Sequence, residues 1–162
     1  MTINNEMEFN KIISDILKNE EFISLKYEMH HGISRLDHSL SVAKLTFATC
    51  QKLGIKSCAE TTRAALLHDF FKNSEVTHNS FVNHPKKALE NARKHFKLTK
   101  KQENIINSHM FPAGNILPKY KESWLVSWAD KTIAIKECTK YKIPLTVGSA
   151  YLFFLNFLLI QR

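Results

Sequence analysis

The sequence predicts an all-α protein, and three features of the chain favour that class. Glycine and proline, which interrupt regular structure, occur only four times each in 162 residues. Apolar residues recur three or four positions apart over long stretches, as they do on the buried face of a helix. No stretch alternates apolar and polar residues for long enough to require a strand. We therefore expect about seven or eight helices, forming a single domain over residues 1–162.

Three helices are expected in the first half of the chain. Residues 7–18 carry apolar side chains at helical spacing. Ser34 is suited to cap a second helix, which should end near Gly54, a residue that readily adopts the left-handed conformation of a helix stop. A third helix should begin at Ser57 or Glu60 and continue to about Phe71.

The second half of the sequence predicts four more helices. Pro85 fits the first turn of a helix that continues to residue 96. Thr99 and Gln102 have capping-box spacing and open a helix that stops before Pro112. A long helix is expected over residues 120–141, and Pro144 separates it from a last, very apolar helix over residues 145–161. That run is short for a membrane span, so we expect it to be buried, with a dimer-forming or membrane-touching helix as the alternative.

Charge and cysteine content limit the class of protein. Lysine and arginine number 23 against 15 acidic residues, giving a net charge of +8. This excess favours polyanionic partners such as nucleotides or nucleic acid, although a solvated lysine-rich surface explains it equally well. The three cysteines form no C-x-x-C pair, and residues 1–10 lack the basic and apolar regions of a secretory signal. We therefore expect a cytoplasmic protein with no membrane partner.

The segment AALLHDFFK, residues 64–72, places ionisable groups inside an apolar run. On a continuous helix, Lys72 would project towards the side on which His68 and Asp69 converge. A lone histidine on an apolar face is most often a core residue. The adjacent Asp69 favours a different interpretation, because a buried carboxylate needs a cation or several hydrogen-bond donors.

Two further polar residues occupy positions where core residues are expected. Asp130 shares a helix face with Val126 and Ala134, and a lysine or arginine partner is the alternative explanation for it. His38 lies along a partly apolar face. With His68 and Asp69, these residues supply two imidazoles and two carboxylates from three helices. Such a set suits Mn, Fe, Co, Ni or Zn.

Three pieces of the chain, RLDHSL, ALLHDFFK and WADK, resemble the H…HD…D signature of the HD-domain metal-dependent phosphohydrolases. The resemblance covers about residues 34–134, within a core motif region of residues 34–138. It implies an HD-domain-like helical bundle in which His38, His68, Asp69 and Asp130 bind one divalent transition metal.

Two more segments, NHPKKALENA and IINSHMFP, are similar to the additional histidine segments of the two-metal subgroup. That subgroup includes HD-GYP phosphodiesterases and HD-type dinucleoside tetraphosphate hydrolases. The resemblance implies that His84 and His109 hold a second ion, that Asp69 bridges the two ions, and that Lys72 contacts a substrate phosphate. Met110 stands where HD-GYP proteins have a second histidine, and the GYP segment is absent. A one-metal site therefore stays open, and cyclic dinucleotide cleavage is not expected.

The resemblance implies that metal-activated water hydrolyses a phosphoester or phosphoanhydride bond in a phosphorylated small molecule, most simply a nucleotide. Asp69 and Lys72 would act at the reacting centre. Arg35, about one helical turn before His38, would offset charge on the phosphate. Lys86 and Lys131 are weaker candidates for substrate contacts.

Two other functions stay open from the sequence. One is a non-catalytic nucleotide- or RNA-binding module with a structural metal, and the other is a di-iron oxygenase of HD type. No stable nucleic-acid complex is expected, while a homodimer is possible.

Overall fold

The computed structural model describes residues 3–30, 32–76 and 83–140, which form a helical bundle with one small strand pair. Helices α1 to α4 are Ile3–Ile13, Glu20–Ile23, Arg35–Lys52 and Cys58–Leu67. Helices α5 to α7 are His84–His95, Lys100–Ser108 and Lys121–Lys140. Strands β1 (Met29–His30) and β2 (Ile33–Ser34) pair antiparallel. The all-α prediction is confirmed.

The N-terminal region differs most from its prediction. The helix expected over residues 7–18 starts earlier and ends at Ile13, followed by a 3₁₀ turn over Ile16–Lys18 and the short α2. Met7, expected on the buried face, is exposed. The strand pair was not predicted, because two-residue strands are too short to display an alternating pattern. Gly32 connects the strands with a φ of 86°, a conformation that L side chains rarely adopt.

Ser34 caps α3 as predicted, accepting a hydrogen bond from the backbone N–H of Asp37 at 3.1 Å. Thr99 and Gln102 form the predicted capping box at the start of α6. These local signals fix where both helices begin. Their inner faces contribute to one core, which includes Phe47 from α3 and Ile105 from α6.

The packing order of the helices positions the polar cluster described below. Helix α3 packs against α4 and α7, while α6 packs against α4, α5 and α7. The C-terminal ends of α4 and α6 therefore lie near the inner faces of α3 and α7. In this arrangement, side chains from the start of α3 and the middle of α7 meet residues that follow α4.

Residues 141–162 and 77–82 lie outside the described residues. The predicted apolar helix over residues 145–161 is thus outside them, as is the end of the predicted 120–141 helix. Within the described ranges, none of the helices has both the length and the apolar character needed to cross a membrane.

Candidate metal centre

Six buried side chains from five regions of the fold meet at one place. His38 comes from α3, His84 from the first position of α5, and Asp130 from α7. The other three follow helix ends: His68 and Asp69 come directly after α4, and His109 directly after α6. None is more than 9 % exposed. These are the six residues that the sequence predicts as metal ligands, and the fold brings all of them together.

The chain leaves the helical conformation at His68 and Asp69. Helix α4 ends at Leu67, and the Phe71 N–H then donates to the Asp69 carbonyl at 2.8 Å, closing a tight turn. The side-chain amide of Asn91 donates to the Phe70 carbonyl at 3.1 Å and holds the departing backbone. The predicted continuation of this helix to Phe71 is wrong. Lys72 has extended backbone angles and does not share a helix face with His68.

His68 and His109 are held in the same way. Nδ1 of His68 donates to the carbonyl of Ala65 at 2.7 Å, and Nδ1 of His109 donates to the carbonyl of Ile106 at 2.8 Å. Each bond satisfies a carbonyl at a helix C-terminus that has no partner within the helix. Each also places the ring proton on Nδ1, because only a protonated nitrogen can donate to a carbonyl. The lone pair of Nε2 is then available to a metal.

One oxygen of Asp69 faces three imidazole nitrogens. Oδ1 lies 3.3 Å from Nε2 of His84, 3.6 Å from Nε2 of His109 and 4.0 Å from Nε2 of His68. Both Oδ1 of Asp69 and Nε2 of His68 are fully buried and have no hydrogen-bond partner among the described residues. Buried polar atoms are nearly always paired, so this pair of unsatisfied acceptors indicates a position for a cation. The donor set therefore fits a metal ion.

Asp130 closes the other side of the cluster. Its Oδ1 lies 3.1 Å from Nε2 of His38 and 3.5 Å from Nε2 of His68. The described residues thus contain two groups with metal-ligand geometry, one of His38, His68 and Asp130 and the other of His68, Asp69 and His109. His68 belongs to both groups. The resemblance instead implies that Asp69 is the shared residue.

The rings of His84 and His109 are in direct contact through their Nε2 atoms. Their Nε2 atoms are 2.9 Å apart. Since the proton of His109 is on Nδ1, its Nε2 accepts in this contact. Nε2 of His84 therefore donates a proton in this contact, and without that proton both Nε2 lone pairs would be available to a metal ion.

Burial and neighbouring charges set the protonation of the cluster. Burial and the nearby His68 and His84 lower the pKa of His109 to about 3, so its ring is neutral at pH 7. Burial alone would also lower the pKa of His38, but hydrogen bonds to Asp130 and Glu137 outweigh it and raise that pKa to about 10. Burial would raise the pKa of both aspartates, yet the surrounding imidazoles hold it well below the usual value. Both carboxylates are therefore ionised and ready to bind a cation.

Glu137 is a functional candidate that the sequence analysis missed. Its Oε2 accepts a hydrogen bond from Nδ1 of His38 at 2.8 Å, on the side of the ring opposite Asp130. A carboxylate in this position fixes the orientation of a metal-binding imidazole and increases its basicity. One signal was present in the sequence, because Glu137 lies seven residues after Asp130 and so on the same face of α7.

Arg35 lies beside the cluster and is bonded to one of its carboxylates. One terminal nitrogen donates to Oδ2 of Asp69 at 2.9 Å, and the other donates to Oδ1 of Asn73 at 2.8 Å. The guanidinium carbon is 3.8 Å from the ring centroid of Phe71, whose other neighbour is the stacked ring of His84. Only 3 % of Arg35 is exposed. Both terminal nitrogens of the guanidinium are therefore paired within the protein, and the contact of Arg35 with a substrate phosphate stays a prediction.

The other lysine candidates occupy different environments. Lys131 donates to the carbonyl of His109 at 2.9 Å and to Oγ of Ser127 at 2.7 Å, and burial lowers the pKa of its ammonium. It therefore supports the backbone of His109, and its contact with substrate stays a prediction. Lys86 is exposed, and Lys72 is half-buried. Among the described residues, none pairs with the Lys72 ammonium.

The fold and the cluster together define an all-helical domain with histidine and aspartate side chains arranged for metal binding. In agreement, the family model described as the HD domain matches residues 35–135. This is well over half of the chain, which therefore belongs to the HD domain family. Many members of that family are metal-dependent phosphohydrolases. No curated protein and no solved structure matches the chain.

Proposed function

We propose that this protein is a metal-dependent phosphohydrolase that cleaves a phosphoester or phosphoanhydride bond in a nucleotide-like small molecule. The observation that carries the proposal is the buried, unsatisfied Oδ1 of Asp69, which faces Nε2 of His68, His84 and His109. Membership of the HD domain family supports the same class of reaction.

The proposed ligands are the six residues of the cluster, His38, His68, Asp69, His84, His109 and Asp130. A divalent transition metal bound there lowers the pKa of water towards neutrality and polarises a phosphoryl oxygen. Imidazole nitrogens together with carboxylate oxygens suit Mn, Fe, Co, Ni or Zn rather than Mg or Ca, which prefer oxygen alone.

The residues behind the ligands hold them in place. Arg35 fixes Oδ2 of Asp69 and so leaves Oδ1 pointing at the histidines. Glu137 fixes the ring of His38 through Nδ1. Because these side chains are held in position before substrate binds, no free energy has to be spent on ordering them during the reaction.

Lys72 is the proposed substrate contact. It follows Asp69 by three residues, and its ammonium has no partner among the described residues, unlike the guanidinium of Arg35 and the ammonium of Lys131. A lysine binds phosphate as a mobile point charge, which suits a group that meets the substrate only on binding. The net charge of +8 is consistent with an anionic substrate.

The test begins with metal analysis of the purified chain, followed by loading with Mn, Fe, Co, Ni or Zn. The loaded protein is then assayed on nucleoside mono- and triphosphates, dinucleoside polyphosphates and cyclic nucleotides. We expect turnover of at least one class. Bound metal without turnover of any of them would contradict the proposal and favour a binding module, and oxygen consumption by the iron form would favour an oxygenase.

Two variants distinguish the roles of the residues. Asp69→Asn should lose both metal and hydrolysis, whereas Lys72→Met should keep the metal and lose rate. Asp37→Asn is the matched control, because Asp37 is exposed and lies beside His38 in sequence without entering the cluster. Retention of metal and turnover by Asp69→Asn would show that the site is wrongly assigned.

A further inference from the structure

Glu28, the residue before β1, hydrogen-bonds to two segments that border the metal centre. Its backbone carbonyl accepts from the backbone N–H of Arg35 at 2.7 Å. Its side-chain Oε2 accepts from the backbone N–H of Asn73 at 2.9 Å. Asn73 begins a 3₁₀ turn over Asn73–Glu75, and the N–H groups at the start of a helical turn have no partner within it. Glu28 therefore supplies an acceptor that the local backbone lacks.

A third hydrogen bond closes a triangle of these residues. Nη2 of Arg35 donates to Oδ1 of Asn73 at 2.8 Å, and the direction is fixed because a guanidinium can only donate. Glu28, Arg35 and Asn73 are thus each bonded to the other two, although 45 positions separate Glu28 from Asn73. We call this set the Glu28 triangle. None of its members can turn without disturbing two of the three bonds, so the bonds support each other.

Arg35 connects the Glu28 triangle to the metal centre. Its Nη1 donates to Oδ2 of Asp69 at 2.9 Å. Its guanidinium also lies over the ring of Phe71, which stacks on the ring of His84 with 5.1 Å between centroids. One side chain thus contacts one proposed ligand directly and a second ligand through a phenyl ring. The orientation of Arg35 therefore affects both ligands.

Arg35 depends on the triangle for that orientation. The residue is almost fully buried, so its nitrogens rely on acceptors within the protein. Its Nε has no acceptor among the described residues, and the two terminal nitrogens are bonded to Asp69 and Asn73. If the bond to Asn73 is lost, the guanidinium can pivot about the bond to Asp69 that remains. Glu28 prevents this by holding the backbone of Asn73 in place.

We infer that Glu28 and Asn73 are positioning residues of the metal centre, and that they act on Asp69 and His84 through Arg35. The inference rests on the proposed metal-binding function. Glu28 precedes residues 35–135, which the HD domain model matches, so the family match does not include it. The segment before α3 is therefore part of the machinery that holds the ligands.

Cobalt(II) tests this arrangement, because its visible absorption depends on the ligands and on their geometry. Glu28→Ala and Asn73→Ala should each weaken cobalt binding by about tenfold, as loss of an outer-shell partner does, and should change the visible spectrum. Glu28→Gln and Asn73→Asp keep an acceptor and should retain the spectrum and most of the affinity. Glu6→Ala, at an exposed residue of α1, is the matched control and should change neither reading.

Neither Glu28 nor Asn73 is buried, so the alanine variants should keep their fold, which far-ultraviolet circular dichroism checks. A double-mutant cycle then separates positioning from a general loss of structure. Because both residues act through one guanidinium, the double alanine variant should lose no more cobalt affinity than the weaker-binding single variant, whereas independent effects add. In an Arg35→Ala background, neither substitution should have a further effect.

Additive losses of affinity would overturn the inference. So would an unaltered affinity and spectrum in both alanine variants, and in either case the metal centre would stand. Absence of cobalt binding by the unaltered chain would instead overturn the proposed function, and the inference with it.

Discussion

Glu137 accepts a hydrogen bond from Nδ1 of His38 at 2.8 Å, although 99 positions separate the two residues in sequence. The contact joins the beginning of α3 to the last third of α7 inside the protein. It orients one imidazole of the proposed metal centre from behind. Its strength depends on the negative charge of Glu137 as well as on its position.

Substitution of Glu137 should weaken metal binding without removing any ligand. Glu137→Ala removes both the charge and the acceptor, and we expect a loss of about 10- to 100-fold in metal affinity. Glu137→Gln keeps an acceptor for Nδ1 and should lie between Ala and the unaltered protein. Competition with a chromophoric chelator measures the affinity. Glu103→Gln, which affects surface ion pairs with Arg93 and Lys100 away from the cluster, is the control, and an equal effect there would refute the role of Glu137.

Metal binding should release a proton from His38. The raised pKa of about 10 means that this ring is protonated at neutral pH when no metal is bound. A metal can bind Nε2 only after that proton leaves, so affinity should rise with pH, by about tenfold per unit below pH 10 for one released proton. Calorimetric titration in buffers of different ionisation enthalpy counts the protons. An affinity that falls as the pH rises from 6 to 8 would contradict this assignment.

Loss of the Arg35 side chain should destabilise the protein when metal is absent. Arg35→Ala leaves Oδ2 of Asp69 buried without its donor, and removal of one partner of a buried ion pair costs about 3–5 kcal/mol. Added metal should recover part of this loss, because a cation again neutralises the carboxylate. Urea unfolding with and without metal measures both effects.

Arg63→Ala is the matched control for that experiment. Arg63 pairs with Asp15 at the surface, where the side chains are 27 % and 56 % exposed. Such pairs contribute up to about 1 kcal/mol. If the two arginine variants lost equal stability, Arg35 would have no special relation to Asp69.

Lys131 should act on His109 rather than on substrate. Its ammonium donates to the His109 carbonyl, which Oγ of Ser127 also contacts at 2.6 Å. Lys131→Met keeps most of the side-chain volume but leaves that carbonyl with one donor fewer. We expect weaker metal binding and an unchanged KM for the best substrate found. A raised KM with normal metal affinity would restore the predicted substrate contact.

The sequence predicted the helices and the ligand types well, for different reasons. Thr99 and Ser34 are capping residues whose effect is local, so both helix starts were readable from a few neighbours. Four of the cluster residues, His38, His68, Asp69 and Asp130, were found because ionisable groups at apolar helix positions are costly unless paired. His84 and His109 were found only through the family resemblance. The number and the family pattern of the six residues were sufficient to expect a common site, and the fold brings them together.

The helix ends were less predictable. Periodicity continued α4 to Phe71, but the structure ends it at Leu67, where the Asp69 turn and Asn91, from a distant helix, provide the competing hydrogen bonds. Lys72 is consequently not on the helix face that a continuous helix would give it. The spacing of apolar residues reports on one helix at a time. It therefore cannot predict a hydrogen-bond donor that comes from another helix.

The sequence by itself determined that this is a helical protein with buried imidazoles and carboxylates, because side-chain spacing and chemistry are local properties. Only the tertiary structure decided that Arg35 holds Asp69, that Glu137 orients His38, and that Lys131 supports His109. These pairings depend on distances between helices that are far apart along the chain. A side chain's role in such a site follows from the atom it reaches, and the packing of the helices sets that distance.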